Sequence, residues 1–304
     1  MCTAININKG LHLFGRTLDF EHSFGQEIVS VPRNYRQWDF SYLYSVIGVG
    51  RVVSDLALLF DGMNEAGLCG GALNFPGLAV YQKNKEGRLN LKSFQLLPYI
   101  LSRCKSTAEA RGELEKINVT DEAFSDDLPA TPLHWIFADK HSAITVEPLG
   151  EGLRIYDNPV GILTNSPSFD YHLLRLSDYM NLSAHYPENT LTDCSLPHYS
   201  RGMGAIGLPG DFSSSSRFVR AAYLIKNTVF EENEIEGFFH VMDSVSVPDG
   251  CVRTKNGEPV RTYYTVCACS DELTYRYTTY NNRSIRSVRL DPSDDKIRRY
   301  SMNK

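Results

Sequence analysis

Met1-Cys2-Thr3-Ala4-Ile5-Asn6-Ile7-Asn8-Lys9-Gly10-Leu11-His12-Leu13-Phe14-Gly15-Arg16-Thr17-Leu18-Asp19 opens the chain. Two strand-like runs, Thr3–Ile7 and Leu11–Gly15, flank Asn8-Lys9-Gly10, a turn signal that predicts an antiparallel hairpin. Cys2 stands at the head of the first strand. If Met1 is trimmed, Cys2 carries a thiol and a free α-amine on one carbon. An α-amine with a pKa of about 7.7–8.0 is partly unprotonated near neutrality and can serve as a base. Nucleophile and base then share a residue, as they do in the N-terminal threonine arrangement. Taken alone, position 2 reads more readily as an arbitrary small residue, so the rest of the chain has to reverse that reading.

Further strand-like runs follow at Glu27–Val31, Ser45–Gly50 and Leu56–Phe60, then a stretch with Gly67, Gly70 and Gly71, a density that marks tight turns or close backbone approach. Leu91–Arg103 has apolar residues at helical spacing, and Ser106-Thr-Ala-Glu109 reads as a capping box for a helix reaching about Ile117. Strand signals dominate from Leu133 to Leu163. Helical spacing returns at Tyr171–Leu182, Ser215–Val229 and Glu234–Met242. Three alternating runs, Thr262–Ser270, Leu273–Tyr280 and Ile285–Leu290, predict a closing antiparallel meander. The order strands, helices, strands, helices, strands fits an α+β chain of two mostly antiparallel sheets with helices outside, not a βαβ repeat. Without a linker, repeat or low-complexity segment, residues 1–304 are expected to form a single domain.

The chain has 304 residues, 42% hydrophobic and 22% charged, which is globular composition with ample core material. The net charge of −5 and the dispersed Lys and Arg argue against a nucleic-acid partner. Lys296–Lys304, with Arg298 and Arg299, reads as a solvated tail. No apolar run nears the roughly 18 residues of a membrane span. Asn6, Asn8, Lys9 and His12 interrupt any signal-peptide core, so a cytoplasmic address with no pro-segment before Cys2 is expected. Seven widely spaced cysteines at such an address argue against a disulfide framework. Cys267-Ala-Cys269 lacks metal-knuckle spacing and, on one face of a strand, reads as packed small hydrophobes. No histidine cluster has metal spacing, and neither metal nor cofactor is expected.

Five further polar positions belong beside Cys2. Arg16-Thr-Leu-Asp19 ends the second strand, next to the N-terminus. A guanidinium at Arg16 favours a thiolate, and Asp19 can accept from the α-amine. The plain alternative is an Arg–Asp surface pair. Asn74, in Leu73-Asn-Phe-Pro76, and Asn165, in Leu163-Thr-Asn-Ser-Pro167, have amides that can donate to a developing oxyanion; loop chemistry explains either one alone. Arg217 follows four serines at the start of a helix, where a cation opposes the macrodipole and some other role is needed to keep it.

These blocks in order, together with Leu13-Phe-Gly-Arg-Thr-Leu-Asp-Phe-Glu21, Asp61-Gly-Met-Asn-Glu-Ala-Gly-Leu68, Leu133-His-Trp135, Leu163-Thr-Asn-Ser-Pro-Ser-Phe-Asp170 and Gly207-Leu-Pro-Gly-Asp-Phe212 before Ser216-Arg-Phe218, resemble the choloylglycine hydrolase family. That family of N-terminal nucleophile hydrolases contains the bile salt hydrolases and penicillin V acylases. The resemblance runs from Met1 to about Tyr280. It implies a four-layer αββα sandwich with Cys2 as nucleophile, Arg16, Asp19 and Arg217 around the thiol and amine, and substrate or oxyanion roles for Asn165 and Asn74. Asparagine at position 74 is typical of bile salt hydrolases, tyrosine of many penicillin V acylases, so the expected substrate is a glycine- or taurine-conjugated bile salt. Pro32–Leu56 is shorter than in typical members, which alters one pocket wall. Leu18, Phe20, Phe24 and Phe60 are candidate lining residues for the apolar half of the substrate, although core packing is the stronger explanation for each taken alone. Asn189–Gly204 resembles the loop through which members form homotetramers. The alternatives are a penicillin V acylase or other N-acyl amidase with the same cysteine, and a non-catalytic bile-acid-binding protein that retains Met1.

Overall fold

The hairpin that opens the chain is longer than its alternation suggests. The computed structural model describes residues 1–125 and 129–302. It pairs β1 (Cys2–Asn8) with β2 (His12–Phe20) antiparallel, Cys2 opposite Leu18 and Ala4 opposite Arg16. Arg16 and Asp19 therefore lie inside a strand instead of trailing from its end. β2 persists because it is bonded on both edges: a later strand pairs Thr17 with Thr265 and Asp19 with Thr262. Gly15 allows that approach, since a Cβ there would stand 1.8 Å from the Val266 carbonyl oxygen.

The chain continues through β3 (Glu27–Val31), β4 (Val46–Val53), β5 (Leu56–Leu59), β6 (Asp61–Asn64) and β7 (Cys69–Asn74). The Gly-rich stretch serves both uses expected of it: Gly67, at φ 94°, lies in the turn between β6 and β7, and Gly70 lies within β7, where a Cβ would stand 2.7 Å from the Phe137 ring. At Gly48 on the facing strand, a Cβ would sit 2.0 Å from the Asp61 carbonyl oxygen. Helices α1 (Ser93–Arg103) and α2 (Thr107–Leu114) follow. Ser106 caps α2 by accepting from Glu109 N, but Glu109 accepts from Lys105 N, so the expected box closes one residue early. α2 also stops short of Ile117, which enters a short strand, Ile117–Thr120.

Next come β8 (Leu133–Ala138), β9 (Ala143–Leu149), β10 (Gly152–Asp157), β11 (Ile162–Leu163) and α3 (Phe169–Arg175). The helix expected to Leu182 tightens to 3-10 geometry at Leu176–Tyr179 and ends there. The C-terminal third holds α4 (Ser214–Asn227), α5 (Glu234–Asp243), β12 (Val252–Arg253), β13 (Pro259–Cys269), β14 (Thr274–Thr279), β15 (Arg286–Arg289) and β16 (Arg298–Tyr300). The segment expected as a solvated tail instead pairs β16 with β3, Arg298 opposite Ser30, and buries Met302; residues 303 and 304 lie outside the described residues.

Two large antiparallel sheets result. A seven-stranded sheet runs β11-β1-β2-β13-β14-β15 with β12 beside β13, and a nine-stranded sheet runs β10-β9-β8-β7-β6-β4-β3-β16 with β5 beside β4. α4 and α5 pack on the first sheet, α1 and α2 on the second, and β1 and β2 face β7 across the interior, giving four layers. Central strands are apolar on both faces because both are covered. In β8, for example, Ile136 joins the cluster shared with Cys2, Phe14 and Leu18, whereas Trp135 and Phe137 join the cluster built on Leu97 and Leu101 of α1. α4 presents Phe218, Ala221 and Ile225, spaced three and four residues apart, to the first of these clusters. All seven cysteines are free thiols, with Cys267 and Cys269 buried as small apolar groups.

Candidate active site

Cys2 lies where the two sheets face each other, 2% exposed beneath a half-buried Met1. Alternation along β1 and β2 sends Cys2, Arg16 and Leu18 to the inter-sheet face and Thr3, Thr17 and Asp19 towards α4. The two faces are built differently.

On the inter-sheet face, Arg16 Nη2 donates to Cys2 Sγ at 2.6 Å. Its Nη1 donates to the carbonyls of Ala72 at 2.5 Å and Phe60 at 3.3 Å, and Nε donates to Thr17 O at 3.1 Å. Arg16 is fully buried. Burial works against its charge, but Cys2, Tyr264, Asp61 and Asp19 around it raise its pKa on balance. Its carboxylate partner is Asp61, 3.9 Å from Nε, not the Asp19 of an Arg–Asp pair.

On the helix face, Asn165 Oδ1 accepts Cys2 N at 2.9 Å and Arg217 Nη2 at 2.7 Å. With two donors on Oδ1, the amide orientation is settled, and Nδ2 points to the Asn74 carbonyl oxygen at 2.7 Å. Arg217 also donates to Cys2 O at 2.5 Å, Thr3 Oγ1 at 2.6 Å and Phe212 O at 3.1 Å. Burial lowers its pKa, opposed by Asp19 and Cys2. Arg217 reaches this position because α4 starts at an ordered N-terminus. Ser213 accepts from Ser216 N, and Asp211 accepts from Ser213 N and Ser216 Oγ. Those hydrogen bonds bring the Asp211 pKa down to about 2.

The Asp19 carboxylate is taken by Thr262 Oγ1 at 2.7 Å and Thr17 Oγ1 at 3.2 Å. It is the Asp19 backbone oxygen that accepts the Met1 amine, at 2.6 Å. The structure therefore brings Cys2, Arg16, Asp19, Asn165 and Arg217 together around one residue, with Asn74 bonded to them through its carbonyl. Asn74 Oδ1 is buried and has no partner. Phe20, Phe24 and Phe60 form a half-buried aromatic group, with ring centroids 4.7 Å apart for Phe20–Phe24 and 5.7 Å for Phe24–Phe60, and Leu18 lies buried opposite Cys2.

Residues that sequence reasoning passed over support this centre. Ser214 Oγ accepts Asn165 N at 2.8 Å, and His172 Nε2 bonds Asn165 O at 2.8 Å. Burial brings the His172 pKa down to about 4, so the ring is neutral and donates from Nε2. His134 Nε2 bonds Thr164 O at 3.0 Å, and its Nδ1 faces Glu147 at 3.3 Å, both side chains wholly buried. Leu133-His-Trp135 was visible in the sequence, but nothing in its spacing linked it to Thr164.

Some features stand apart from this centre. A cavity of about 640 Å³ opens at the far end of β1, lined by Asn6, Asn8, Lys9, Arg111 and His141 among others; it contains none of the site residues above. Among the described residues, no His, Cys, Asp and Glu group could hold a metal ion, and no helix is long and apolar enough to cross a membrane.

The family model of linear amide C–N hydrolases, choloylglycine hydrolase family, matches residues 2–296. The bile salt hydrolase/transferase of Lactiplantibacillus plantarum is 41% identical over 300 residues, 96% of this chain and 93% of that protein. The bile salt hydrolase/transferase of Clostridium perfringens is 38% identical over 322 residues, 100% of this chain and 98% of that protein. A crystal structure of a variant conjugated bile acid hydrolase from Clostridium perfringens superposes with a TM-score of 0.93 at 35% identity, covering 100% of this chain and 98% of that one.

Proposed function

This chain belongs to the choloylglycine hydrolase family of linear amide C–N hydrolases, and from that premise we propose that it cleaves the amide of glycine- or taurine-conjugated bile salts with Cys2 as nucleophile. The observation that carries this reading is the pair of bonds on one residue: Arg16 on Sγ and Asn165 Oδ1 on the backbone nitrogen. After loss of Met1, that nitrogen is the α-amine, and Asn165 Oδ1 would hold it beside the thiol.

The steps balance as follows. Sγ adds to the amide carbonyl carbon while the thiol proton passes to the α-amine. Collapse of the tetrahedral adduct breaks the C–N bond, and the α-ammonium returns its proton to the departing glycine or taurine nitrogen. Water gives a proton to the same amine and adds to the thioester carbonyl; the C–S bond then breaks, the α-ammonium returns its proton to Sγ, and the bile acid is released. Arg16 would favour the thiolate. Arg217 and Asp19 would keep the strand end and the amine in place. The unpartnered Asn74 Oδ1 suits the amide N–H of the substrate, an acceptor for a donor that leaves buried polarity satisfied. Asn165 would reach an oxyanion with Nδ2 only by releasing Asn74 O. Leu18, Phe20, Phe24 and Phe60 would form an apolar wall for the steroid.

The relatives from Lactiplantibacillus plantarum and Clostridium perfringens are named transferases as well as hydrolases. The same thioester would transfer its acyl group if an amine replaced water. The exposed run from 184 to 202, with Leu191 at 88% and Tyr199 at 77% exposure, supports a homotetramer built through this projection, on a single-domain protomer. Turnover of glycocholate, taurocholate and penicillin V side by side tests the substrate: a bile-salt preference is expected, and a dominant preference for penicillin V overturns it. Cys2→Ala with unchanged glycocholate turnover overturns the nucleophile.

A further inference from the structure

Asp61 is a wholly buried carboxylate to which the steps above give no part. It lies on β6, across the interior from the Cys2 sheet. Its Oδ2 accepts Tyr264 Oη at 2.7 Å and its Oδ1 accepts Tyr275 Oη and Val49 N, the latter at 3.2 Å. Arg16 Nε is 3.9 Å from Oδ2. Burying a carboxylate is costly unless charge and hydrogen bonds offset it. Here burial raises the Asp61 pKa on balance, against the pull of Arg16, Tyr275, Tyr264 and Val49 N, and the three donors on its two oxygens suit an acceptor-only carboxylate. Two phenols from β13 and β14 are thus spent on one side chain of the opposite sheet.

Arg16 does not need Asp61 for its shape. The carbonyls of Thr17, Phe60 and Ala72 already fix the guanidinium. What Asp61 adds is a negative charge behind a cation whose other side touches Sγ. Resting on the nucleophile reading of Cys2, we propose that Asp61, clamped by Tyr264 and Tyr275, is the positioning residue that sets how strongly Arg16 favours the thiolate. With Asp61 ionised, part of the Arg16 charge is balanced before the thiol ionises, so Sγ stays basic enough to remain a strong nucleophile. Without it, Arg16 would hold an over-stabilised and less reactive thiolate, since nucleophilicity falls as thiol pKa falls.

The other groups facing this network are Asp19 on the opposite side of β2, Arg217 from α4, Cys69 beside Tyr275, and the N-terminal amine. None of them changes in Asp61→Asn, which keeps the size of the side chain and removes its charge.

The test is the pH dependence of iodoacetamide alkylation at Cys2, located by peptide mass in protein shown by intact mass to lack Met1. Asp61→Asn should move the midpoint to lower pH by roughly one unit relative to the parent, with slower alkylation at full ionisation. Tyr264→Phe, which weakens the carboxylate anion, should move it the same way by less. A midpoint unchanged in Asp61→Asn, or moved to higher pH, overturns the proposal, because a packing role alone leaves it where it was. If Asp61→Asn does not fold, Tyr264→Phe decides on the same two outcomes. A parent in which Cys2 resists alkylation at every pH overturns this proposal and the nucleophile reading together, whereas a normal parent with unshifted variants overturns this one alone.

Discussion

Arg16 and Arg217 are two buried guanidinium groups on opposite faces of one strand end, and their surroundings differ in kind. Arg16 faces ionisable groups, Cys2 and Asp61, and its pKa rises. Arg217 hydrogen-bonds neutral acceptors, the oxygens of Cys2, Thr3, Phe212 and Asn165, and burial lowers its pKa against the weaker pull of Asp19 and Cys2. Side-chain alternation at Cys2 therefore separates two tasks. On the nucleophile reading of Cys2, the inter-sheet face would handle the charge on sulfur, while the helix face bonds its backbone oxygen and nitrogen.

The most damaging change should be the one both faces serve. Cys2→Ala in processed protein is expected to lose at least about a thousandfold in glycocholate turnover, with the melting temperature little changed. Retained turnover would mean neither face is catalytic. Next, the two arginines should fail differently. Arg16→Gln is expected to lose roughly a hundredfold in kcat and to move the Cys2 alkylation midpoint to higher pH. Arg217→Gln should leave that midpoint in place and instead cost about 3–5 kcal/mol of stability, because buried acceptors lose their charged donor. Equal midpoint shifts in both variants would erase the distinction, and urea denaturation beside the alkylation profile reads both quantities.

A smaller effect lies behind the helix face. Burial lowers the folded pKa of His172 to about 4, from the ordinary histidine value of about 6.5. Between those values the unfolded chain binds the proton and the folded one does not, so stability is fully present above pH 6.5 and falls as pH drops towards 4. The loss attributable to His172 amounts to roughly 3 kcal/mol across that window. His172→Gln should flatten that part of the stability profile measured by urea denaturation, and an unchanged slope would show that the ring already protonates in the folded state. The least effect is expected at the rim of the charged face. Phe24→Ala should raise KM for glycocholate about five- to twentyfold with kcat nearly kept, since it removes apolar contact made equally in ground and transition states. A fall in kcat alone would place Phe24 in the chemistry.

Much of this was legible before the fold was known, and unevenly so. The hairpin, the closing meander and the helices at Ser93 and Ser214 follow from period and turn chemistry, which are local. The Arg298–Tyr300 strand was misread as tail because its charge pattern is that of an edge strand, and only its partner β3 reveals it. At the site, Cys2, Arg16, Asp19, Asn165 and Arg217 were named from sequence, yet their partners were not. Asp19 was expected to hold the amine through its carboxylate, which Thr17 and Thr262 occupy, while its backbone oxygen meets the Met1 amine. Asp61 stood in plain view within Asp61-Gly-Met-Asn64, but its meaning depends on Tyr264 and Tyr275, about 200 residues away along the chain. Contacts across two sheets leave no periodic trace in either strand.

The claim on which both faces depend is that Cys2 is the first residue of the working enzyme. Intact mass of the purified protein, taken on the same sample whose glycocholate turnover is measured, tests it most directly. The account predicts an active protein lighter by one methionine. Full turnover by a protein that still carries Met1 would contradict it.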